Sequence, residues 1–257
     1  MDVALVTVGD ELLAGDTENT NATWLCRRLT DRGVTVTRVL TIPDDRGVIA
    51  DAVREFSQAF DAVVVTGGLG GTPDDVTKAA VADALDRELV VRGDVKEGIV
   101  AKAEAYAEQY PDLADAYDLD VDFDAQAAVP ADARPLVTDR SFGPGFVAGN
   151  VYAFPGIPDE LYAMFDLVAD EFDGDVVSES VYTPAPEGAL NDLLTDVRDR
   201  FEVSVGSYPG KGRIPTRIKV SGPPGAVEEA MTWLRERVDV TDSPTGEHDA
   251  GVEPESR

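Results

Sequence analysis

Residues 66–77 read Thr-Gly-Gly-Leu-Gly-Gly-Thr-Pro-Asp-Asp-Val-Thr, and they join a short apolar run at 61–65 to a segment of helical periodicity. The apolar run predicts a buried strand. Glycine has no Cβ, so the four glycines here let the backbone turn sharply and approach a ligand closely. A glycine loop that leads into a helix N-terminus favours anion binding. The segment therefore predicts a phosphate site within an α/β fold.

The helix after this loop is predicted to begin at Thr72. Thr72 suits the capping position, Pro73 suits the first helical position, and Asp75 falls three residues after the cap. Asp74 and Asp75 therefore adjoin the expected phosphate, and two carboxylates beside an anion imply a cation between them. The alternative is that these acids only begin a helix, where the helix dipole favours negative charge.

Alternating strands and helices are expected around the glycine loop, and their order predicts parallel strands with right-handed crossovers. Beyond residues 172–178 a β-α-β-β-α order suits a small antiparallel sheet with helices on one side. The expected class is therefore α/β, a three-layer domain with a mostly parallel sheet, followed by a small α+β domain. The predicted strands are 2–8, 34–42 and 62–65, the helices 21–32 and 95–109, and the hairpin turn Gly149-Asn150. The predicted domains are 1–172 and 176–240, with a disordered acidic tail at 241–257.

The composition is strongly acidic, with 50 acidic and 22 basic residues and a net charge of −28 over 257 residues. Charge of one sign repels itself at low salt and is screened at high salt. We interpret the composition as that of a halophilic protein of the cytoplasm. The alternative is an acidic protein that binds a basic partner.

The cysteine and histidine contents exclude several kinds of chemistry. The single cysteine, Cys26, permits no intramolecular disulfide, which suits a reducing compartment. The single histidine, His248, lies in the predicted tail, so the folded part has no histidine for a catalytic triad or a zinc site. No apolar run of about 18 residues exists, so no membrane partner is expected. Chemistry must then use carboxylates, hydroxyls, amides, Lys or Arg, or a metal held by oxygen.

Acidic pairs follow three of the predicted strands, at Asp10-Glu11, Asp44-Asp45 and Asp74-Asp75. The carboxyl ends of parallel strands lie at one edge of a sheet, where ligands bind, so these pairs are expected to meet. Hard oxygen ligands favour Mg²⁺ or Mn²⁺. In so acidic a chain, however, acids at strand ends also occur by chance, and some of them could only cap helices.

The basic residues Lys211, Arg213, Arg217 and Lys219 form one cluster near a glycine-rich segment, 206–213. That segment lacks the spacing of both common nucleotide fingerprints. We interpret it as a flexible hairpin loop, and no nucleic-acid partner is expected.

Several motifs together resemble the N-terminal domain of the CinA (competence/damage-inducible protein) family, within the MoaB/Mog molybdopterin-binding-like group. The resemblance covers residues 1–172, and the small domain that follows is also similar to that family. In chain order the motifs are Gly9-Asp10-Glu11-Leu12-Leu13, Gly15, Thr20-Asn21, Trp24-Leu25, Pro43-Asp44-Asp45, Gly67-Gly68-Leu69-Gly70, Asp74-Asp75-Val76-Thr77, Gln126-Ala127, Gly143-Pro144-Gly145-Phe146 and Phe154-Pro155-Gly156-Ile157-Pro158-Asp159-Glu160.

The resemblance implies metal-dependent hydrolysis of a nucleotide pyrophosphate such as ADP-ribose or FAD. It also implies a small-molecule nucleotide or pterin as the ligand, and self-association is possible in such proteins. Two positions depart from the family: Gly71 replaces a usual proline, and Ser141-Phe142 replace a frequent Gly-Thr pair. The chain ends too early to hold the deamidase domain that many CinA proteins carry, so that activity is not expected.

The leading hypothesis is therefore a metal-dependent pyrophosphatase, and the alternative is a molybdopterin- or nucleotide-binding module without hydrolysis. Asp45 or Asp75 is the expected general base. The expected ligands of Mg²⁺ or Mn²⁺ are Asp10, Glu11, Asp45, Asp74 and Asp75. The expected phosphate or nucleotide contacts are Gly67, Gly68, Gly70, Gly71 and Thr72, with Asn21, Gly143, Gly145, Pro155 and Gly156 added by the resemblance.

The acidic composition predicts that salt stabilises the fold. Screening reduces the repulsion among the carboxylates of the folded chain, so the thermal midpoint should be higher in molar KCl than in dilute buffer. Calorimetric melts at the two salt concentrations measure this, and equal midpoints would contradict the halophilic interpretation.

Overall fold

A computed structural model describes residues 1–110, 122–210 and 214–243, which form two compact units, Met1–Gly174 and Asp175–Arg257. The sequence predicts that the acidic segment 110–124 is a surface loop, and residues 111–121 of it lie outside the described residues. The basic residues Lys211 and Arg213 and most of the expected tail, including His248, also lie outside them.

The larger unit is built on a mixed sheet of six strands among the described residues, in the order β2-β1-β3-β8-β7-β6. The first four strands in this order are parallel, and β7 and β6 continue the sheet antiparallel. This arrangement confirms the predicted α/β class. The strands of this unit are β1 (Asp2–Val8), β2 (Thr35–Ile42), β3 (Ala62–Thr66), β4 (Leu89–Val91), β5 (Ala128–Pro130), β6 (Arg134–Leu136), β7 (Gly145–Ala148) and β8 (Val151–Phe154), with β4 and β5 paired separately.

Helices cover both faces of this sheet, because alternate residues of each buried strand point to opposite sides. Val63 and Val65 of β3 pack with Ile49 on one face, whereas Val64 packs with Leu25 and Phe165 on the other. The helices of the unit are α1 (Asp10–Ala14), α2 (Thr20–Asp31), α3 (Arg46–Ala59), α4 (Thr77–Ala84), α5 (Gly93–Gln109), α6 (Phe123–Ala127) and α7 (Pro158–Asp166).

The turn between β7 and β8 is the predicted hairpin. Gly149 has a φ of +61°, a conformation that glycine adopts without strain. The Nδ2 of Asn150 donates hydrogen bonds to the carbonyls of Ser57 and Phe60, at 3.0 and 3.1 Å. The hairpin tip is therefore fixed to the end of α3, and β8 is held beside β3.

The predicted start of α4 is wrong, since the helix begins at Thr77 and Thr72 does not cap it. The amide of Asp75 donates to the carbonyl of Thr72 at 3.0 Å, so residues 72–75 close a turn before the helix. The amide of Thr77 donates to the carbonyl of Gly68 at 3.1 Å. A carbonyl of the glycine loop therefore accepts the hydrogen bond from the first amide of the helix.

The smaller unit has an antiparallel sheet in the order β10-β11-β9, which confirms the predicted small α+β domain. Val181 and Ile218 of this sheet pack with Val197, Val227 and Met231 of two helices. The elements are β9 (Val177–Thr183), α8 (Asn191–Arg200), β10 (Ser204–Tyr208), β11 (Thr216–Gly222) and α9 (Pro224–Arg235).

Among the helices of the described ranges, none has both the length and the apolar character needed to cross a bilayer.

The two faces of α7 predict contrasting effects on stability. Phe165 is 1% exposed within an aromatic cluster, so Phe165→Ala should lower the free energy of unfolding by about 3–5 kcal/mol. Leu167, which ends the same helix, is 52% exposed, and Leu167→Ala should change it by less than about 0.5 kcal/mol. Denaturant titrations at constant salt compare the two variants. They are made in a Trp233→Phe background, so that the fluorescence of Trp24 follows the unfolding of the larger unit alone. Equal losses would show that α7 does not pack as described.

Candidate functional site

A cavity of about 470 Å³ opens at the carboxyl ends of β1, β3 and β8. The strand order places β2 and β3 on opposite sides of β1, so the chain reverses its direction across the sheet at this point. Ligands bind in the crevice that such a reversal creates. Its walls come from the residues after β1, the start of α2, the glycine loop, the 142–144 segment and the turn after β8.

The glycine loop begins with two residues in the left-handed region, Gly67 at φ +105° and Gly68 at φ +65°. A Cβ on Gly67 would overlap the carbonyl oxygen of Val8, so the loop contacts the end of β1 backbone to backbone. The amides of Gly68 and Gly70 make no hydrogen bond within the described residues, and both glycines line the cavity. These two amides are therefore available to an anion.

Asp75 closes the other end of the loop. Its Oδ2 accepts hydrogen bonds from the backbone amide and the hydroxyl of Thr72, at 2.9 and 2.6 Å. A Cβ on Gly70 would overlap the same carboxylate oxygen, so a side chain there would displace the Asp75 carboxylate. The Thr72 amide that was expected to bind phosphate is thus occupied by Asp75.

The two members of the second acidic pair, Asp44 and Asp45, have different roles, and the sequence predicted the opposite assignment of the metal ligand. Asp45 caps α3, with its Oδ1 accepting from the amide of Val48 at 2.9 Å, and it does not line the cavity. Asp44 does line it, and its Oδ2 accepts from the amide of Asp10 at 2.9 Å. Asp44 therefore lies at the cavity beside the start of α1, while Asp45 is used by α3.

The structure brings only part of the predicted set to the cavity. Asp10 and Asp45 of the expected metal ligands, and Gly71, Thr72 and Gly145 of the expected ligand contacts, are outside the lining. Gly145 instead lies in β7 against the backbone of Ala153. The predicted residues that line the cavity are Glu11, Asn21, Gly67, Gly68, Gly70, Asp74, Asp75, Gly143, Pro155 and Gly156.

The predicted ligands of Mg²⁺ or Mn²⁺ do not gather into one group of three side chains in the described ranges. Across the described ranges, no three Asp, Glu, His or Cys side chains lie close enough together to hold one ion. The physical reason is the division of roles above, because Asp45 is used as a helix cap and Asp10 does not line the cavity.

Every titratable side chain among the described residues of the lining is a carboxylate. Glu18 and Glu160 were not predicted as site residues, and Asp44 was expected at this edge of the sheet but not named as a metal ligand. The full acidic set is Glu11, Glu18, Asp44, Asp74, Asp75 and Glu160.

Asn21 joins the start of α2 to the turn after β8. Its Nδ2 donates to the carbonyl of Gly156 at 2.7 Å, while the hydroxyl of Thr66 donates to the carbonyl of Pro155 at 2.9 Å. The Oδ1 of Asn21 is buried and has no partner within the described residues. An unpaired buried acceptor is unfavourable, so this oxygen is suited to a ligand that donates a hydrogen bond.

Two lysines stand behind the cavity wall and hold its backbone. Lys78 is 5% exposed and its Nζ donates to the carbonyl of Gln126 at 2.8 Å. Burial lowers the pKa of Lys78 to about 8, and the charge of Asp75 opposes that shift. Lys102 donates to the carbonyls of Thr138 and Ser141, at 2.6 Å each.

Glu160 faces the cavity from the first turn of α7. Burial raises the pKa of its carboxyl, while a hydrogen bond from the Phe142 amide and the nearby Lys102 charge act in the opposite direction. The sequence placed Glu160 in a motif, Phe154 to Glu160, and that rigid proline-glycine turn was the signal that could have identified it as a site residue.

Comparison with family models divides the chain in two. Residues 4–173 match the family described as "Probable molybdopterin binding domain", and residues 175–243 match "FAD synthase, middle domain".

Individual relatives show the same likeness. An Archaeoglobus fulgidus protein is 35% identical over 224 residues, which are 86% of this chain and 91% of that protein. A CinA-like protein of Thermotoga neapolitana is 31% identical over 98% of this chain, but the match spans only 60% of that protein. The crystal structure of the protein CinA, of unknown function, from Thermoplasma acidophilum has 29% identity and a TM-score of 0.56, covering 66% of this chain and 97% of that one.

The buried Lys78 predicts a specific pH dependence of stability. Its pKa in the folded chain is about 8, and the unfolded chain restores the ordinary value of about 10.4. Between these values the unfolded chain binds more protons, so stability should rise with pH through this window, by at most about 1.4 kcal/mol per unit.

Lys78→Met should remove this rise, whereas Lys96→Met, at an exposed surface ion pair, should keep it. Denaturant titrations between pH 8 and 10 measure the slopes. A wild-type slope identical to that of Lys78→Met would show that Lys78 is not buried as an amine.

Proposed function

We propose that this chain, which belongs to the molybdopterin-binding-domain family and is similar to CinA-like proteins, is a divalent-metal-dependent hydrolase of nucleotide pyrophosphates such as ADP-ribose or FAD. The family assignment rests on the match over residues 4–173. The catalytic activity and the substrate are the proposed part.

One observation carries the proposal: the cavity joins free glycine-loop amides to a lining whose titratable groups, in the described residues, are all carboxylates. The amides favour an anion, whereas six carboxylates repel one. A phosphate can enter such a cavity when a cation lies between it and the acids. A nucleotide pyrophosphate with a divalent ion meets both demands.

The donor set fits Mg²⁺ or Mn²⁺. Mg²⁺ in proteins is commonly held by one or two carboxylates together with substrate phosphates, so a protein cluster of three is not required. Glu11 and Asp44 are the residues that would hold it, because the Asp10 amide hydrogen bond fixes Asp44 beside the start of α1. When bound, the ion supplies Lewis acidity toward a phosphoryl oxygen.

The glycine loop binds the phosphate, and one of the remaining acids accepts the proton. The amides of Gly68 and Gly70 bind the anion, and Asp75 is the general base, held in a fixed orientation by its two hydrogen bonds from Thr72. Asp45, the other candidate base from the sequence, caps α3 outside the cavity lining and is left out of this mechanism.

A second candidate is a binding module for molybdopterin or a nucleotide, without hydrolysis. The absence of a three-ligand metal cluster in the described residues favours it. Incubation with ADP-ribose or FAD and Mg²⁺ or Mn²⁺ separates the two candidates, because only the hydrolase releases AMP.

The neighbours Asp44 and Asp45 provide a matched test. Asp44→Asn should reduce AMP release by about 100-fold or more, because it removes a charge that would hold the ion. Asp45→Asn should stay within about twofold of wild type, because asparagine caps helices as well as aspartate does.

Asp75→Asn should abolish turnover while the thermal midpoint changes little. Rates across a Mn²⁺ titration are compared for the three variants. Equal losses in Asp44→Asn and Asp45→Asn, or wild-type turnover in Asp75→Asn, would reject the assigned roles.

A further inference from the structure

Phe142 presents an aromatic ring to the cavity from a backbone that is firmly held. It is 38% exposed and lines the cavity beside Gly143. The preceding residue is fixed, because Lys102 donates to the carbonyl of Ser141 at 2.6 Å. An exposed ring on a pinned backbone loses little conformational freedom when a ligand binds it.

Gln126 lies on the same wall and is 9% exposed. Its backbone is fixed, since Lys78 donates to its carbonyl at 2.8 Å. The side chain is seated between two glycines: a Cβ on Gly71 would overlap its Nε2, and one on Gly143 would lie 3.0 Å from its Oε1.

The amide group of Gln126 makes no hydrogen bond in the part of the chain that the structure describes. A primary amide offers a donor and an acceptor side by side. Neither atom of this amide is among the fully buried ones that lack a partner, so both remain accessible at the cavity that Gln126 lines. Gln126 is therefore positioned to pair with a ligand edge that also carries an adjacent donor and acceptor.

We propose that Phe142 and Gln126 form a heterocycle subsite, in which a ligand ring stacks on Phe142 and its polar edge pairs with Gln126. The two residues meet at Gly143, which follows Phe142 and lies against the Gln126 amide. Purine and pterin rings share the required chemistry, a flat π-face and an edge with neighbouring donor and acceptor. This inference rests on the proposed function and adds the part of the substrate that the phosphate loop does not recognise.

The test compares two ligands that differ only by the ring, AMP and ribose 5-phosphate. A pyrophosphatase cannot hydrolyse either one, so titration calorimetry with Mg²⁺ measures binding separately from catalysis. A pterin phosphate forms a third arm that distinguishes the two kinds of ring. Wild type should bind AMP or the pterin phosphate more tightly than ribose 5-phosphate.

Phe142→Ala should weaken binding of the ring-bearing ligand by about 10-fold, the size of one lost stack, and leave ribose 5-phosphate unchanged. Phe142→Tyr should restore the affinity. Gln126→Leu should weaken the same ligand by about fivefold, the effect of one or two lost hydrogen bonds. Tyr106→Ala is the control, because this tyrosine is 49% exposed on α5 and does not line the cavity.

Equal loss for ligands with and without the ring, or no loss in either variant, would overturn the subsite. The same conclusion follows if wild type binds neither ring-bearing ligand more tightly than ribose 5-phosphate. A protein that shows the ring-dependent contrast but releases no AMP from ADP-ribose would keep the subsite and reject the hydrolase.

Discussion

The contact between the carbonyl of Val8 and the Cα of Gly67 is the constraint on which the site depends. A side chain at Gly67 would overlap that oxygen, and its φ of +105° is a conformation that glycine adopts without strain. Because the backbones touch, the ends of β1 and β3 lie together. The loop then turns so that the carbonyl of Gly68 accepts a hydrogen bond from the first amide of α4. The cavity is the space that these adjoining strand ends leave open.

Charge is arranged in two layers around this cavity. The titratable groups that face it in the described residues are acidic, while Lys78 and Lys102 lie behind the wall and donate to backbone carbonyls. The lysines therefore stiffen the wall without offering a direct contact to an anion. The proposed preference for a ligand accompanied by a cation rests on this separation, since a phosphate alone would meet six carboxylates.

Most of the fold could be predicted from the sequence, because the spacing of apolar residues and the order of strands and helices are local features of the chain. The apolar patterns predicted the strands at 2–8, 34–42 and 62–65, and Gly149-Asn150 marked the hairpin. The site was predicted only in part. Two adjacent aspartates look alike in a sequence, and only the paths of β2 and α3 decide that Asp44 lines the cavity while Asp45 caps a helix. Phe142 could not be assigned either, since its exposure depends on contacts with residues distant in the chain.

The insertion of β8 beside β3 has a consequence for how the protein is made. β3 ends at residue 66, yet its neighbour spans Val151–Phe154, and Asn150 fixes the tip of the hairpin to the end of α3. During translation the first three strands emerge long before this partner. Until β8 emerges, one edge of β3 has no strand to pair with. An unpaired strand edge is a site at which another chain can pair, so we expect nascent chains to be most prone to aggregation before the hairpin has emerged.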